Sequence, residues 1–220
     1  MHQNIQHKDQ RVGIFIDIQN LYHSAKNLYG ARVNYNELIK ALLAGRNLIR
    51  ATGYVVKSEG VEGATPPSPA PVRRDSVGDD PHGGARIASS EAAFFEALEK
   101  EGIELRMKDL QVYAGGMKKA DWDVGMAVDA IRMGSALDVV ILVTGDGDFI
   151  PLVEYLKWGL GRQVEVAAFG RSASGKLKEI ADRFTNLEAI PRLIMRTRAS
   201  RLGARPHTKD FGVGARRLNS

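Results

Sequence analysis

Residues 139–143 form an uninterrupted apolar run, Val-Val-Ile-Leu-Val, which constrains the fold more than any other segment. A strand with one face in water alternates apolar and polar side chains, whereas this run predicts a strand buried on both faces. Such strands belong to parallel sheets that are covered by helices on both sides. Residues 144–149, Thr-Gly-Asp-Gly-Asp-Phe, follow directly, so Asp146 and Asp148 lie on a turn at the carboxyl end of the strand. Ligands of open α/β sheets bind at that end.

Strand and helix patterns alternate along the rest of the chain. Apolar or β-branched runs predict strands over residues 11–17, 48–56, 103–110, 138–144 and 163–169. Helical spacing predicts helices over residues 21–29, 35–43, 89–100, 122–133, 149–158 and 176–184. Ser89-Ser90 is the predicted cap of the third helix, and Gly45 and Gly102 are predicted to close the second and third helices. This alternation predicts βαβ units and an α/β fold with a mostly parallel central sheet.

Composition predicts one soluble domain with unfolded additions. The chain has 220 residues, of which 44% are hydrophobic, and this is enough for a sizeable core. The domain is predicted over residues 11–190, after a flexible N-terminus at 1–10. A Pro- and Gly-rich insertion at about 59–88 and a basic tail at 191–220 have too few apolar residues to fold, and we expect both to be disordered.

The same composition excludes several kinds of site. The chain has no cysteine, which excludes disulfides, thiolate zinc sites and a cysteine nucleophile. The polar N-terminus has no apolar signal core and no apolar run has the length of a membrane span, so we expect a cytoplasmic protein without a membrane partner. A net charge of +5 is compatible with a polyanionic partner but does not establish one.

Two further aspartates have positions that suit a site beside Asp146. Asp17 ends the first predicted strand and is followed by Asn20 in the sequence Asp-Ile-Gln-Asn. On a helical projection, Asp123 lies in the middle of the apolar face of its helix, with Val124 and Ile131 within about 100° of it. A carboxylate that faces inward near a helix start must be hydrogen-bonded, paired or bound to a metal.

Each aspartate also has a structural interpretation. Asp17 or Asn20 is a suitable cap for the helix that follows the first strand. Asp146 and Asp148 suit an Asx-type turn, in which Asp148 caps the next helix. Taken one at a time, these positions therefore do not distinguish a turn or a cap from a ligand.

The metal-ligand interpretation is favoured over the structural one if the first strand and the strand at 138–144 are neighbours at the centre of the sheet. One carboxylate cluster then forms from strand ends and a helix start, namely Asp17, Asp123, Asp146 and Asp148. Clustered carboxylates resist joint ionisation without a cation, and Mg²⁺ or Mn²⁺ suits carboxylate and water ligands. The sequence therefore predicts a divalent-metal site, with Asp121 explained as an N-cap and Asp129 as a candidate for supporting the ligands.

Three motifs follow one another in the chain: Asp17-x-x-Asn20, residues 119–129 (Lys-Ala-Asp-Trp-Asp-Val-Gly-Met-Ala-Val-Asp) and residues 144–149. Residues 169–172 (Phe-Gly-Arg-Ser), Leu177 and residues 181–184 (Ala-Asp-Arg-Phe) come later. Together these motifs resemble NYN domains of the LabA-like group, which belong to the PIN-like nuclease superfamily. The resemblance covers about residues 11–190 apart from the insertion. It implies a Rossmann-like three-layer sandwich with an acidic pocket at the carboxyl edge of the sheet, and a metal-dependent ribonuclease activity.

The resemblance also implies roles for single residues. The acidic positions that hold metal and carry catalysis correspond to Asp17, Asp123, Asp146 and Asp148, and the polar residue beside them corresponds to Asn20. One further acid of the four-carboxylate PIN pattern, on an earlier helix, has no clear match. Glu37 lies in that region, but its surroundings do not resemble the motif, so the number of bound metals stays open.

The leading hypothesis is hydrolysis of RNA phosphodiester bonds with Mg²⁺ or Mn²⁺. RNA is then the partner, and its backbone is expected to contact Asn20, Lys118, Lys119, Arg171, Lys176 and Lys178. A solvated charged surface is the alternative explanation for these basic residues, and His23 is expected on a helix surface.

Two rival functions stay open from the sequence. One is a non-catalytic NYN module that binds RNA or protein. The other is a phosphatase of the haloacid dehalogenase type with Asp17 as nucleophile, although that chemistry normally needs an acid two residues later, where this chain has Gln19. A homo-oligomer is compatible with either function.

Overall fold

A computed structural model describes residues 7–57, 83–109, 111–112, 118–119 and 122–196. The strands are β1 (Arg11–Asp17), β2 (Ala31–Val33), β3 (Asn47–Lys57), β4 (Ile103–Asp109), β5 (Gln111–Val112), β6 (Lys118–Lys119), β7 (Val139–Val143), β8 (Gln163–Ala168), β9 (Arg183–Asn186) and β10 (Ile194–Arg196). The helices are α1 (Ile18–Tyr29), α2 (Tyr35–Leu43), α3 (Gly83–Lys100), α4 (Asp123–Gly134), α5 (Ile150–Glu154) and α6 (Gly175–Ile180). A 3₁₀ turn (Gly147–Phe149) precedes α5 and a π-helical turn (Tyr155–Gly159) follows it.

The central sheet has six strands in the order β4-β3-β1-β7-β8-β9, and all of its neighbouring strands are parallel. The predicted α/β fold with a mostly parallel sheet is thus confirmed. β1 and β7 are neighbours at the centre, with Val12 opposite Val139 and Ile16 opposite Val143. The carboxyl ends of these two strands, and the aspartates that follow them, therefore lie side by side.

Alternate residues of the central strands face two separate cores. Ile14 and Ile141 belong to a core on the side of α1, α2 and α3, whereas Phe15 and Leu142 belong to a core on the side of α4, α5 and α6. All five residues of β7 are at most 1% exposed. The uninterrupted apolar run is the sequence signal of this arrangement, because both faces of the strand are covered, and it gives the three-layer sandwich.

A buried ion pair joins β8 to the segment between α2 and β3, at the amino edge of the sheet. The guanidinium of Arg46 donates to both carboxylate oxygens of Glu165, at 2.7 and 3.0 Å, and both side chains are at most 2% exposed. The same guanidinium donates to the carbonyl oxygens of Leu42 and Leu43 at the end of α2. Each charge in this buried pair thus has hydrogen-bonding partners. A buried charge without such partners would strongly destabilise the fold.

Several predicted boundaries differ from those of the structure, beginning with α1, which starts at Ile18 and not at Leu21. α3 begins at Gly83, before the predicted cap at Ser89-Ser90, so residues 83–88 are helical and do not belong to the insertion. Ala85, Arg86 and Ala88 are good helix formers, and serine is tolerated inside a helix at small cost. The helix predicted over 176–184 ends at Ile180, because Arg183–Asn186 pairs with β8 as an edge strand.

The basic tail also begins later than predicted. β10 pairs antiparallel with β2, so residues 194–196 belong to the fold. Both strands are short, with three residues each, and neither was predicted from the sequence. The remainder of the predicted insertion, tail and N-terminus, at 59–82, 197–220 and 1–6, lies outside the described residues. Among the helices described, none combines the length and the apolar character that crossing a membrane demands.

Candidate metal centre

Three carboxylates meet at the carboxyl edge of the sheet. One oxygen atom each of Asp123, Asp146 and Asp148 lies within 4.8 Å of the others. Asp146 and Asp148 follow β7, and Asp123 is the first residue of α4. Asp123 and Asp146 are partly buried and Asp148 is exposed. The start of α4 and the turn after β7, which are more than twenty residues apart in the sequence, therefore form one group of carboxylates. The group is open to solvent on the side of Asp148.

Asp17 adjoins this group from the end of β1. The pKa of its carboxyl is raised to about 6, first because the side chain is largely buried and then because Asp123 and Asp146 are negatively charged. Hydrogen bonds from the backbone of Asn20 and the hydroxyl of Thr144 act in the opposite direction and stabilise the carboxylate. The negative charges of Asp123 and Asp146 thus oppose the ionisation of Asp17, in addition to its burial.

The turn after β7 is held by its own side chains. Asp146 accepts a hydrogen bond from the backbone N–H of Asp148 at 3.0 Å and donates its own N–H to the hydroxyl of Thr144 at 3.2 Å. The predicted Asx-type turn is present, but Asp146 caps the 3₁₀ turn and Asp148 does not cap the helix. Because the turn uses one oxygen of Asp146, its geometry also fixes where the second oxygen lies.

Asn20 joins the two central strands at this edge. Its side-chain oxygen accepts a hydrogen bond from the N–H of Gly145 at 3.2 Å, and its own N–H donates to Asp17 at 3.0 Å. Asp17 is thus the N-cap of α1, as one of the structural interpretations predicted. Asp17 is not one of the three carboxylates whose oxygens lie within 4.8 Å of one another, but its role as a cap leaves it close enough to feel the charges of Asp123 and Asp146.

A loop after β8 supports the turn from the other side, and the sequence analysis missed it. Ser174 donates its N–H to the carbonyl of Gly145 at 2.9 Å. A Cβ atom on Gly145 would lie 3.1 Å from Cα of Ala173 and 3.2 Å from the carbonyl oxygen of Ser172. Gly145 therefore serves close packing of two loops. The Thr-Gly-Asp motif is a signal of this contact, although it does not identify the partner loop.

Asp123 faces the site as predicted, but the buried face of α4 is narrower than the predicted one. Met126 and Ala130 are at most 1% exposed, whereas Val124 is 74% and Ile131 is 38% exposed. The helix rests on the sheet along a line through Met126, Ala130 and Gly134, so apolar residues at the edge of the predicted face reach solvent. Asp121, the predicted N-cap, lies outside the described residues, and Trp122 occupies the N-cap position.

Other residues singled out in the sequence have structural partners. Asp129 accepts a hydrogen bond from the hydroxyl of Tyr54 at 3.1 Å and lies 3.4 Å from Nε of Arg106. Glu37 is in the first turn of α2 and is not in the carboxylate group found among the described residues. His23 is exposed on α1, where its ring packs edge-on against Tyr22.

The predicted RNA-contacting bases differ in their surroundings. Arg171 and Lys176 are exposed in the loop and helix that follow β8, at the same edge as the acids. Lys178 donates to the carbonyl of Gly170 at 2.6 Å and lies over the ring of Phe184, so it stabilises this loop. Lys118 and Lys119 form β6, which pairs with β5, and their side chains lie outside the described part of the chain.

Comparison with known proteins identifies a family and solved structures that resemble this chain. A family model described as the NYN domain matches residues 11–188. The crystal structure of a protein of unknown function from Vibrio parahaemolyticus is similar, with a TM-score of 0.67 and 26% sequence identity. The alignment covers 87% of this chain and 99% of that one. No curated protein matches the chain.

Proposed function

Because the chain belongs to the NYN domain family, within the PIN-like nuclease superfamily, we propose that it is a metal-dependent ribonuclease. The observation that supports this proposal best is the convergence of Asp123, Asp146 and Asp148 at the carboxyl edge of the sheet, beside Asp17. This edge is where open α/β sheets place their ligands. With a divalent cation bound, these carboxylates would place positive charge beside the reacting phosphate, whose negative charge a phosphodiester hydrolase must stabilise.

The carboxylates fit a divalent cation. Oxygen atoms are the preferred ligands of Mg²⁺ and Mn²⁺, and three carboxylate oxygens within 4.8 Å of one another can approach one ion. A cation would also offset the two effects that raise the pKa of Asp17, its burial and the negative charges of Asp123 and Asp146. When bound, it supplies a water of lowered pKa and neutralises charge at the scissile phosphate. We propose that Asp17, Asp123, Asp146 and Asp148 hold it.

The remaining residues of the site orient these ligands and the RNA. Asn20 and Thr144 fix the ends of β1 and β7 through the backbone of Gly145 and Asp146. Arg171 and Lys176 are exposed at the same edge and provide positive charge for the phosphate backbone. This arrangement needs no side-chain nucleophile, because water is the attacking group in metal-assisted hydrolysis.

The proposal is tested by cleavage of single-stranded and structured RNA in the presence of Mn²⁺, with wild type and Asp146→Asn compared. Asparagine keeps the shape of the turn but lacks the charge that holds the cation. We expect cleavage by the wild type, and a loss of at least about 100-fold in the variant, because metal catalysis supplies several kcal/mol. Glu154→Gln removes an exposed carboxylate on α5 and is expected to cleave like the wild type.

Two results would contradict the proposal. Wild-type protein that binds RNA without cleaving it in Mn²⁺ or Mg²⁺ indicates the non-catalytic binding module instead. Equal cleavage by wild type and Asp146→Asn would mean that the activity does not come from this site. Covalent phosphate on Asp17 after incubation with a phosphate ester would support the dehalogenase-type phosphatase, for which the site offers no second acid at Gln19.

A further inference from the structure

Helix α4, which begins with Asp123, has no side-chain cap at its start. The N-cap residue is Trp122, and its side chain makes no capping hydrogen bond. Its indole N–H instead donates to the carbonyl oxygen of Val55 in β3 at 2.7 Å. The indole ring also packs against Tyr54 of the same strand, with ring centroids 5.6 Å apart. The first turn of α4 is therefore attached to the sheet through the tertiary contacts of Trp122.

A second contact joins the same strand to the next turns of α4. The hydroxyl of Tyr54 donates to Oδ2 of Asp129 at 3.1 Å. Tyr54 is 1% exposed, and its burial together with the adjacent charge of Asp129 raises the pKa of the phenol, so the hydroxyl keeps its proton and acts as a donor. Because Asp129 follows Asp123 by six residues, the two contacts hold the helix at two points along its axis.

Gly125 makes room for this arrangement. A Cβ atom at position 125 would lie 2.5 Å from Cε3 and 2.8 Å from Cζ3 of Trp122, which is closer than real Cβ contacts allow. The indole ring thus lies directly over the first turn of α4. Glycine usually weakens the interior of a helix, so its presence here is explained by this close packing.

The residues of β3 that contact α4 lie beside the end of β1, where Asp17 is located. Tyr54 is the β3 partner of Asp17 in β1. Tyr54 and Phe15 belong to the same core, on the α4 side of the sheet, so the β3 contacts hold α4 at the level of the sheet where Asp17 ends its strand. The position of Asp123 relative to Asp17 therefore depends on how α4 is attached to β3.

We propose that Trp122, Tyr54 and Asp129, here called the β3–α4 latch, position Asp123 for the divalent cation. The inference rests on the proposed function, since it assigns the cation to the same carboxylates. None of the three latch residues belongs to the carboxylate group found among the described residues. They act through Asp123, in the way that residues behind the ligands of metal sites set the orientation of those ligands.

The test is a titration of RNA-free protein with Mn²⁺. Binding is measured by calorimetry or from the electron paramagnetic resonance signal of free Mn²⁺. Trp122→Phe keeps an aromatic ring but loses the indole donor, and Tyr54→Phe loses only the hydroxyl. Loss of a residue behind the ligands typically weakens metal binding about 10- to 100-fold. We expect about 10-fold for Trp122→Phe and a smaller loss for Tyr54→Phe, because the ring contact remains.

Matched controls separate positioning from general stability. Tyr155→Phe removes a hydroxyl from an exposed tyrosine, and Val128→Ala shortens an exposed side chain on α4 itself; both are expected to bind Mn²⁺ like the wild type. Asp129→Asn keeps an oxygen that accepts from Tyr54, whereas Asp129→Val does not, so we expect the asparagine variant to bind more tightly than the valine variant. Melting temperatures in EDTA show that each variant is folded.

The decisive comparison is a double-mutant cycle with Asp123→Asn, carried to millimolar metal. If the latch acts through Asp123, Trp122→Phe weakens Mn²⁺ binding in the wild type but has little further effect in the Asp123→Asn background. In the Asp148→Asn background its full effect is expected. Equal effects in the wild-type and Asp123→Asn backgrounds would overturn the inference, as would unchanged Mn²⁺ affinity in folded Trp122→Phe and Tyr54→Phe. If Mn²⁺ binding depends on the latch but the protein does not cleave RNA, the proposed function is contradicted and the inference about the latch stands.

Discussion

The carboxylates at the two edges of the central sheet have opposite kinds of neighbour. At the amino edge, Arg46 directly precedes β3 and donates two hydrogen bonds to Glu165 of β8. Asp138, which directly precedes β7, accepts three hydrogen bonds from the backbone and guanidinium of Arg11. At the carboxyl edge, Asp123, Asp146 and Asp148 lie within 4.8 Å of one another, with Asp17 beside them. One edge places carboxylates next to arginines, whereas the other places carboxylates next to carboxylates.

The pKa values of two aspartates record this difference. The pKa of Asp138 is lowered to about 2, chiefly by hydrogen bonds from the side chain and backbone of Arg11. The pKa of Asp17 is raised to about 6 by burial and by the charges of Asp123 and Asp146. The folded state thus stabilises one negative charge and opposes the other. We infer that the amino edge serves folding, while the carboxyl edge is arranged for a cation that the chain itself does not supply.

The largest effect is expected from breaking the buried pair at the amino edge. Arg46→Met leaves Glu165 buried without its cation, which should lower the free energy of unfolding by about 3–5 kcal/mol. Arg11→Met breaks an exposed ion pair and should cost less than about 1 kcal/mol. Urea unfolding of both variants checks the contrast. Similar losses in the two would mean that burial does not distinguish these pairs.

At the carboxyl edge, adding a cation should have the effect that arginine has at the other edge. Mn²⁺ at 100 times its dissociation constant should raise the free energy of unfolding of the wild type by about 2.7 kcal/mol. Asp146→Asn should lose most of this gain, and Glu154→Gln should keep it. Thermal unfolding in EDTA and in Mn²⁺ measures the difference. An equal gain in all three proteins would locate the binding of Mn²⁺ elsewhere.

Without metal, the burial of Asp17 and the like charges beside it should reduce stability as the pH rises. The pKa of Asp17 is about 6 in the folded state and has a reference value of 3.8, so the folded state binds the extra proton between these values. Stability from Asp17 is therefore full below about pH 4 and is lost as the pH rises through 6. Asp17→Asn keeps a good cap and should be more stable than the wild type in EDTA at pH 7, by about 1–2 kcal/mol.

The check on this prediction is the difference in stability between wild type and Asp17→Asn, measured by urea unfolding in EDTA from pH 4 to pH 8. Taking the difference cancels groups such as Asp138, which titrate in both proteins. A difference that is independent of pH would contradict the raised pKa of Asp17 in the folded state. Saturating Mn²⁺ should reverse the sign, because the cation binds the ionised form.

The smallest effect concerns the exposed bases beside the acids. Arg171→Ala or Lys176→Ala should weaken RNA binding at low salt and reduce the slope of log affinity against log salt by about 0.7 for each lost phosphate contact. Arg50→Ala is a matched control, since Arg50 is paired with Glu104 towards the amino end of β3. Filter binding at several salt concentrations measures the slopes. Unchanged slopes would show that these bases form a solvated surface.

The sequence was sufficient for features that are determined within one element. The central strands β1 and β7 lie where their apolar runs predict, because burial on both faces leaves no polar alternation. The inward direction of Asp123 followed from helical periodicity. Strand adjacency was the one assumption that brought Asp17 and Asp146 together, and the pairing of β1 with β7 confirms it.

Features that depend on contacts between distant segments were missed. Phe184 has helical spacing with its predecessors, but its segment pairs with β8 as an edge strand, since tertiary pairing outweighs local preference. The support of Gly145 by residues 172–174 and the contact of Trp122 with Val55 have no periodic signal either. In both cases the residue type, a glycine or a tryptophan, indicates close packing without naming the partner.

The most direct test of the cation site is the anomalous difference map of a crystal grown with Mn²⁺, recorded near the manganese absorption edge. The expected result is a peak at the carboxyl edge of the sheet, within about 2.0–2.6 Å of oxygens of Asp146 and at least one of Asp17, Asp123 and Asp148. The same crystals of Asp146→Asn should lose or weaken it. A peak only elsewhere, or none at a Mn²⁺ concentration that supports RNA cleavage, would contradict the assignment of these four aspartates to the metal.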